Sequence, residues 1–279
     1  VYLTWMIESY YYPKLRDGVF QRTLFLAPKT AAVVSISVKQ DTTDMLHFYV
    51  EDAMALRALE KDYNNYLALC RPLMQVFDRT NASQFWSLFH EFEQVESETI
   101  VLRPGLSVMT MPENVAQAMA ARAENGARLL ELRASSMAIF EQSIQENGFC
   151  ELVSSPDFDM LQNDAIPLPT ATLLDLPGLC YTRDEYRQHL THVLALMERY
   201  PLYCVRPCND VLPGMLLYGK EGVGMLMAKT EAPWTMFAFS EPNMTAGFWD
   251  HLMLQKNRTE QFGAGGEKQV LHELLLKLQ

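Results

Sequence analysis

Ser37-Val38-Lys39-Gln40-Asp41-Thr42-Thr43-Asp44, running on to Glu51 and Met54, is answered 190 positions later by Met227-Ala228-Lys229-Thr230-Glu231-Ala232-Pro233-Trp234, running on to Glu241 and Met244. Laid over each other without a gap, 1–54 and 191–244 agree at Glu8/Glu198, Tyr10/Tyr200, Arg16/Arg206, Leu26/Leu216, Val33/Val223, Lys39/Lys229, Glu51/Glu241 and Met54/Met244. The apolar positions between these identities fall in step, which reads as an internal duplication. A doubled unit predicts one body of two α/β halves sharing an interior, and 279 residues, 49% of them hydrophobic, suffice to bury it.

Period and composition give the elements. Strands are expected at 22–27, 31–39 and 45–50, where β-branched, aromatic and other apolar residues alternate or run together. A helical pattern follows over 51–78, with a possible break at Pro72, then a helix at 83–93 and a strand at 99–102. The longest helical pattern covers 112–147, with Pro112 at its start, Gly148 at its end and Gly126 dividing it. Pro156, Pro167 and Pro169 mark 154–169 as a linker, followed by a short strand at 170–174. Thr182-x-x-Glu185 is a capping box that opens a helix to Tyr200. Strands at 202–206, 215–218, 223–229 and 235–239 and helices at 242–255 and 267–278 complete the chain. The division expected is a first α/β half over 1–80, a helical insertion and linker over 81–165, and a second half over 166–279. By repetition, 1–11 pairs with the capped helix and reads as its truncated copy, so the natural chain is expected to begin earlier.

The spacing of the two lysine segments resembles the phospholipase D superfamily, whose motif is H-x-K-x4-D followed by G-S-x-N. The resemblance implies a duplicated α/β/α fold about a pseudo-twofold axis. It also implies a shared cleft in which two histidines do the chemistry and two lysines hold a phosphate. Here Ser37 and Met227 stand at the histidine positions, Trp234 at the second Asp position, and Ser240-Glu241-Pro242-Asn243 at the polar cluster. Methionine neither attacks phosphorus nor carries a proton at neutral pH, so the scaffold is expected without its reaction.

A ligand cleft would draw on Ser37, Lys39, Asp44, Glu51, Met227, Lys229, Trp234, Ser240, Glu241 and Asn243. On a strand, Ser37 and Lys39 share a face, as do Met227 and Lys229. Trp234 would supply a stacking wall. The alternative is structural: Lys39 and Lys229 pair with Glu51 and Glu241 and hold the halves together.

The function the resemblance implies is a non-catalytic sensor module, similar to the effector-binding or dimerisation part of bacterial transcriptional regulators that place a helix-turn-helix ahead of such a domain. Its effector would be a sugar, sugar phosphate or nucleotide, and no cofactor or metal is called for. A net charge of −11 disfavours direct contact with DNA or an anionic membrane. DNA would be reached through a segment absent from this chain, and a homodimer through the helices at 112–147 and 267–278. The competing class is a phosphodiesterase or transferase using Ser37 or Glu51, with His47 as the base that a hairpin could bring near; a plain scaffold is the third.

Five cysteines, an odd number in a chain too large to need staples, favour reduced thiols in the cytoplasm. Cys204-x3-Cys208 is the one close pair and lacks zinc-ribbon spacing; His189-x2-His192 with Glu185 has i, i+3 spacing but reads as core or surface.

Overall fold

The computed structural model describes residues 8–14, 20–38, 45–211, 214–231, 234–259 and 266–278. The chain divides into two compact units, Val1–Met74 and Gln75–Gln279.

The first unit contains β1 (Tyr10–Tyr11), β2 (Phe20–Ala27), β3 (Ala31–Val38), β4 (Leu46–Val50), α1 (Ala53–Leu67) and β5 (Arg71–Pro72). Strands β2, β3 and β4 form an antiparallel meander. Its first hairpin closes through Pro28, Lys29 and Thr30, with Lys29 left-handed at φ 64 and Thr30 N donating to Ala27 O at 3.0 Å. Asp52 caps α1, its carboxylate accepting from the backbone N–H groups of Met54 and Ala55. The expected helix to residue 78 stops at Leu67, because Pro72 has no N–H to give a helix and the residue before it is pushed toward extended backbone. Tyr10–Tyr11 pair antiparallel with Arg71–Pro72, so the helix expected over 1–11 is at least partly strand. Tyrosines before Pro13 suit extended backbone.

The second unit runs β6 (Gln75–Phe77), α2 (Ala82–Gln94), β7 (Thr99–Arg103), α3 (Glu113–Ala121), α4 (Ala127–Glu146), β8 (Phe149–Val153), α5 (Phe158–Gln162), β9 (Ile166–Pro167), β10 (Cys180–Tyr181), α6 (Arg183–Arg199), β11 (Tyr203–Pro207), β12 (Met215–Lys220), β13 (Gly224–Lys229), β14 (Met236–Phe239), α7 (Pro242–Thr259) and α8 (Gly266–Lys277). Seven of its strands form one mixed sheet in the order β11-β8-β7-β12-β13-β14-β6. β11, β8 and β7 are parallel, joined by crossovers that carry helices; β7 to β12 and onward to β6 are antiparallel. Every residue of β7 and β8 is buried, as strands covered on both faces require.

One face of the sheet carries Val101, Phe149, Tyr203, Tyr218 and Leu226 into the main core with residues of α2, α4 and α6. The other packs on α7, where Gly219 permits close approach: a Cβ there would meet Leu252 Cδ1 at 2.8 Å. α8 packs on α6 and β11, with Leu271 and Leu278 in the core.

The region expected as a helical insertion therefore supplies two inner strands, β7 and β8. Their apolar runs have neither helical nor alternating period, which is why the strand at 149–153 went unread. The expected linker buries Leu161, Ile166 and Leu168 in the main core. The strand expected at 170–174 is a 3-10 turn at Thr172–Leu174, ended by left-handed Asp175 at φ 56.

Both units share a local pattern of three antiparallel strands and a capped helix. In the second unit the first hairpin closes through Glu221, Gly222 and Val223, with Gly222 at φ 67. α7 follows Glu241, whose carboxylate accepts from the Met244 backbone N–H at 2.7 Å. The hairpins correspond 193 positions apart (29 to 222) and the caps 189 apart (52 to 241). Glu241 thus answers Asp52 rather than Glu51. The likeness is confined to this meander and helix.

Candidate functional site

Among the residues singled out from sequence, Lys39 and Asp44 lie outside the described residues. Ser37 is buried on β3, and Glu51 is exposed after β4, accepting the Tyr49 hydroxyl at 3.0 Å. His47 joins Ser35, not Ser37: Ser35 Oγ and His47 Nδ1 lie 2.8 Å apart, because these residues face each other in the β3–β4 register. Among the described residues no carboxylate orients that imidazole, so it lacks the third member of a nucleophile–base–acid relay.

In the second unit the expected residues separate. Trp234 packs with Phe77, Phe85, Leu173, Ala228 and Met236 on one face of the sheet. Strand alternation gives Met227 and Lys229 the opposite face from Ala228. Trp234 is therefore no wall beside Lys229. Glu241 serves the start of α7, accepting from Met244 N and from Asn243 Nδ2 at 3.0 Å, and makes no ion pair with Lys229. Its carboxylate satisfies N–H groups that a helix start leaves without intrahelical partners. Ser240 and Asn243 are exposed.

The second unit has a different concavity. α2 and α4 bridge the sheet face that carries Tyr218 and Leu226, and the turn around Thr170–Leu174 closes the side. A cavity of about 70 Å³ remains, its wall mostly aromatic and aliphatic. That is room for about two waters, or for an organic molecule of a few heavy atoms. Two buried polar side chains face it without complete partners. Arg103, at the end of β7, donates from Nη1 to Glu151 Oε2 at 3.2 Å, yet its Nε has no acceptor. Thr170 Oγ1 has no partner either. An unsatisfied buried donor costs roughly 1–3 kcal/mol, so two around one cavity mark a place where something else completes the bonding.

The rest of this network is satisfied. Glu151 Oε1 accepts from the Tyr203 hydroxyl at 2.9 Å. Glu151 thereby balances the Arg103 charge from the neighbouring strand. His189 lies fully buried between the Thr110 and Tyr181 hydroxyls, at 3.1 Å from each, and burial pushes its pKa down to about 3. It is a neutral core imidazole. Glu185 is held by Arg122 and by its capping box rather than by His189 or His192, and no metal-holding cluster occurs among the described residues. Glu93, nearby on α2, has its carboxyl pushed up to about 8 by burial, against the pull of Lys220 and Arg103.

Trp86, Leu132, Leu173 and Leu174 line both the cavity and an open groove outside it, and so form a doorway. The groove carries Asp175 between Arg79 at 3.2 Å and Arg128 at 2.6 Å.

No family model, curated protein or solved structure matches the chain. The functional reading rests on the cavity.

Of the residues singled out from sequence, Met227 lines the cavity; Arg103, Glu151 and Thr170 escaped because they look structural. Arg103 and Glu151 are single charges in the apolar runs Thr-Ile-Val-Leu-Arg and Phe-Cys-Glu-Leu-Val, 48 positions apart. A lone charge inside a strand too apolar to be exposed was the available signal.

Proposed function

We propose that this chain is a non-catalytic sensor module whose effector occupies the cavity between the seven-stranded sheet and helices α2 and α4. The single observation that carries this reading is the pair of buried, unpartnered polar atoms, Arg103 Nε and Thr170 Oγ1, on two residues that line the same largely apolar space. The ligand chemistry follows from that wall. An apolar body fills the cavity, and one acceptor oxygen takes both donors.

Because Glu151 already neutralises Arg103, a further anion would stand beside a carboxylate in low dielectric, so a neutral carbonyl compound, a ketone or amide, fits best. A sugar phosphate or nucleotide is too large and too highly charged for the space. Binding would order the doorway residues Trp86, Leu132, Leu173 and Leu174, giving the module a route from occupancy to its surface. Within the phospholipase D-like reading, this body is a regulatory half-pair without reacting histidines. It would act as a dimer on DNA through a segment outside this chain. No helix among the described residues is long and apolar enough to cross a membrane.

A thermal-shift series decides the matter, using short ketones and amides with matched carboxylates and sugar phosphates as comparison arms. At about one hundred times Kd a neutral carbonyl ligand should raise Tm by about 5–10 °C. Thr170→Val, which removes the hydroxyl and keeps the shape, should abolish most of that rise. If no compound shifts Tm and Thr170→Val stabilises the protein, the cavity is a packing defect and the proposal fails.

A further inference from the structure

We propose that Cys150 and Cys204 form a redox-reactive thiol pair, with Cys204 attacking and Cys150 resolving, that hydrogen peroxide closes to a disulfide. The pair is invisible along the chain. Strands β8 and β11 are parallel neighbours, and Cys150 and Cys204 are register partners across them. Partners on adjacent strands project to the same face at an interstrand spacing of about 4.8 Å, inside the Cα separation a disulfide accepts. The register sets the two thiols side by side, close enough for each to shift the other's ionisation.

The surroundings distinguish the two sulfurs. Cys204 is partly exposed and Cys150 buried. Arg206, two residues on from Cys204, shares its face of β11. Arg206 reaches α7 through Nη1, which donates to Lys256 O at 2.9 Å, and Lys256 Nζ lies 2.7 Å from Glu98 Oε1. Cys204 therefore has two cations, Arg206 and Lys256, on its side, whose charge favours thiolate, with Glu98 paired to Lys256. The neighbouring Cys150 sulfur, above all, and then Arg206 and Lys256 pull the Cys204 thiol below its ordinary value despite burial. Cys150 is pushed up, by the Cys204 sulfur beside it and by burial. Burial also raises Cys180 and Cys208. Cys208, the sequence neighbour, is not the partner of Cys204; it is buried past the end of β11, its N–H donating to Val153 O.

The chemistry balances with peroxide as the two-electron oxidant. The Cys204 thiolate attacks one peroxide oxygen, the O–O bond breaks, and the departing hydroxide takes a proton to become water, leaving a sulfenic acid. The Cys150 sulfur then attacks Cys204, forming S–S and breaking S–O. The hydroxide leaves with the Cys150 proton as a second water. Two thiols are oxidised and one peroxide is reduced to two waters.

The test uses the full chain. After one equivalent of peroxide, the protein is alkylated, digested and read by mass spectrometry, with reversal by dithiothreitol as a control. The expected result is a Cys150–Cys204 disulfide and a fall in titratable thiols from five to three. In the reduced protein, brief alkylation at neutral pH should modify Cys204 about tenfold faster than Cys180. Cys150→Ser should leave a Cys204 sulfenic acid that dimedone traps, and Cys204→Ser should form no disulfide at Cys150. The wild-type experiment stands even if a variant misfolds. Oxidation that falls on Cys70 or Cys180 while Cys150 and Cys204 remain alkylatable, or a disulfide between any other pair, overturns the proposal.

Discussion

The β2–β3–β4–α1 segment and the β12–β13–β14–α7 segment are built alike and buried unlike. Each has a three-residue first loop with a left-handed centre, a third strand of mostly apolar residues and an acidic residue before the helix. In the first unit Leu46, Phe48 and Tyr49 of the third strand are exposed; in the second, Met236 and Phe237 are fully buried. Neighbours make the difference. β12 is paired on both sides, by β7 and β13, and β14 on both sides, by β13 and β6. The lesson is that a strand's composition sets its shape but not its energetic weight, which depends on what covers it.

The largest test of that contrast substitutes equivalent aromatic residues. Phe237→Ala, at 0% exposure, should cost about 3–5 kcal/mol in denaturant unfolding, whereas Phe48→Ala, at 48%, should cost about 1 kcal/mol or less. Equal losses would show that the first meander is covered as fully as the second.

A pH series sharpens it next, because Glu93 and His189, the acid and imidazole with the strongest shifts, both belong to the second unit. The Glu93 carboxyl has a folded pKa of about 8 against an ordinary 4.5. Its contribution to stability is fully present below pH 4.5 and is lost as pH rises through about 8. Glu93→Gln stays neutral, so its stability relative to the native chain should improve from pH 5 to pH 9, measured by urea unfolding. The His189 imidazole runs the other way. With a folded pKa of about 3 against 6.5, its contribution is present above pH 6.5 and lost as pH falls toward 3. A flat Glu93→Gln difference would mean that water reaches the carboxyl.

The smallest test exchanges the two loop centres. Lys29→Gly relieves a left-handed lysine and should stabilise by up to about 1 kcal/mol, while Gly222→Ala should destabilise by a similar amount. Opposite signs in thermal melts support the correspondence of residues 29 and 222. Like signs break it.

Much of the local structure is legible in the sequence. The strands of both meanders, the capping box at Thr182, the division of the long helix near Gly126 and the helix starting at Pro242 follow from spacings of four residues or fewer. The candidate site was not. Lys229 and Trp234 are five positions apart, which says nothing about which sheet face each serves, and Glu241 reads equally well as an ion-pair partner or as a helix cap. The ungapped repeat placed Glu51 opposite Glu241, whereas the caps pair Asp52 with Glu241, because the loops between equivalent strands differ in length.

The sequence by itself determined most of where the chain extends and coils, the buried strand at 149–153 and the turn at 172–174 excepted, since those choices depend largely on neighbours within a few residues. It also put serine at 37 and methionine at 227, two side chains that do not titrate near neutral pH. Only the tertiary structure decided the order of the seven strands, the meeting of Arg103 with Glu151 beside Thr170, and the meeting of Cys150 with Cys204. Such meetings depend on strand order and register, which are set by the packing of whole faces and leave no mark in the spacing of residues 48 or 54 positions apart.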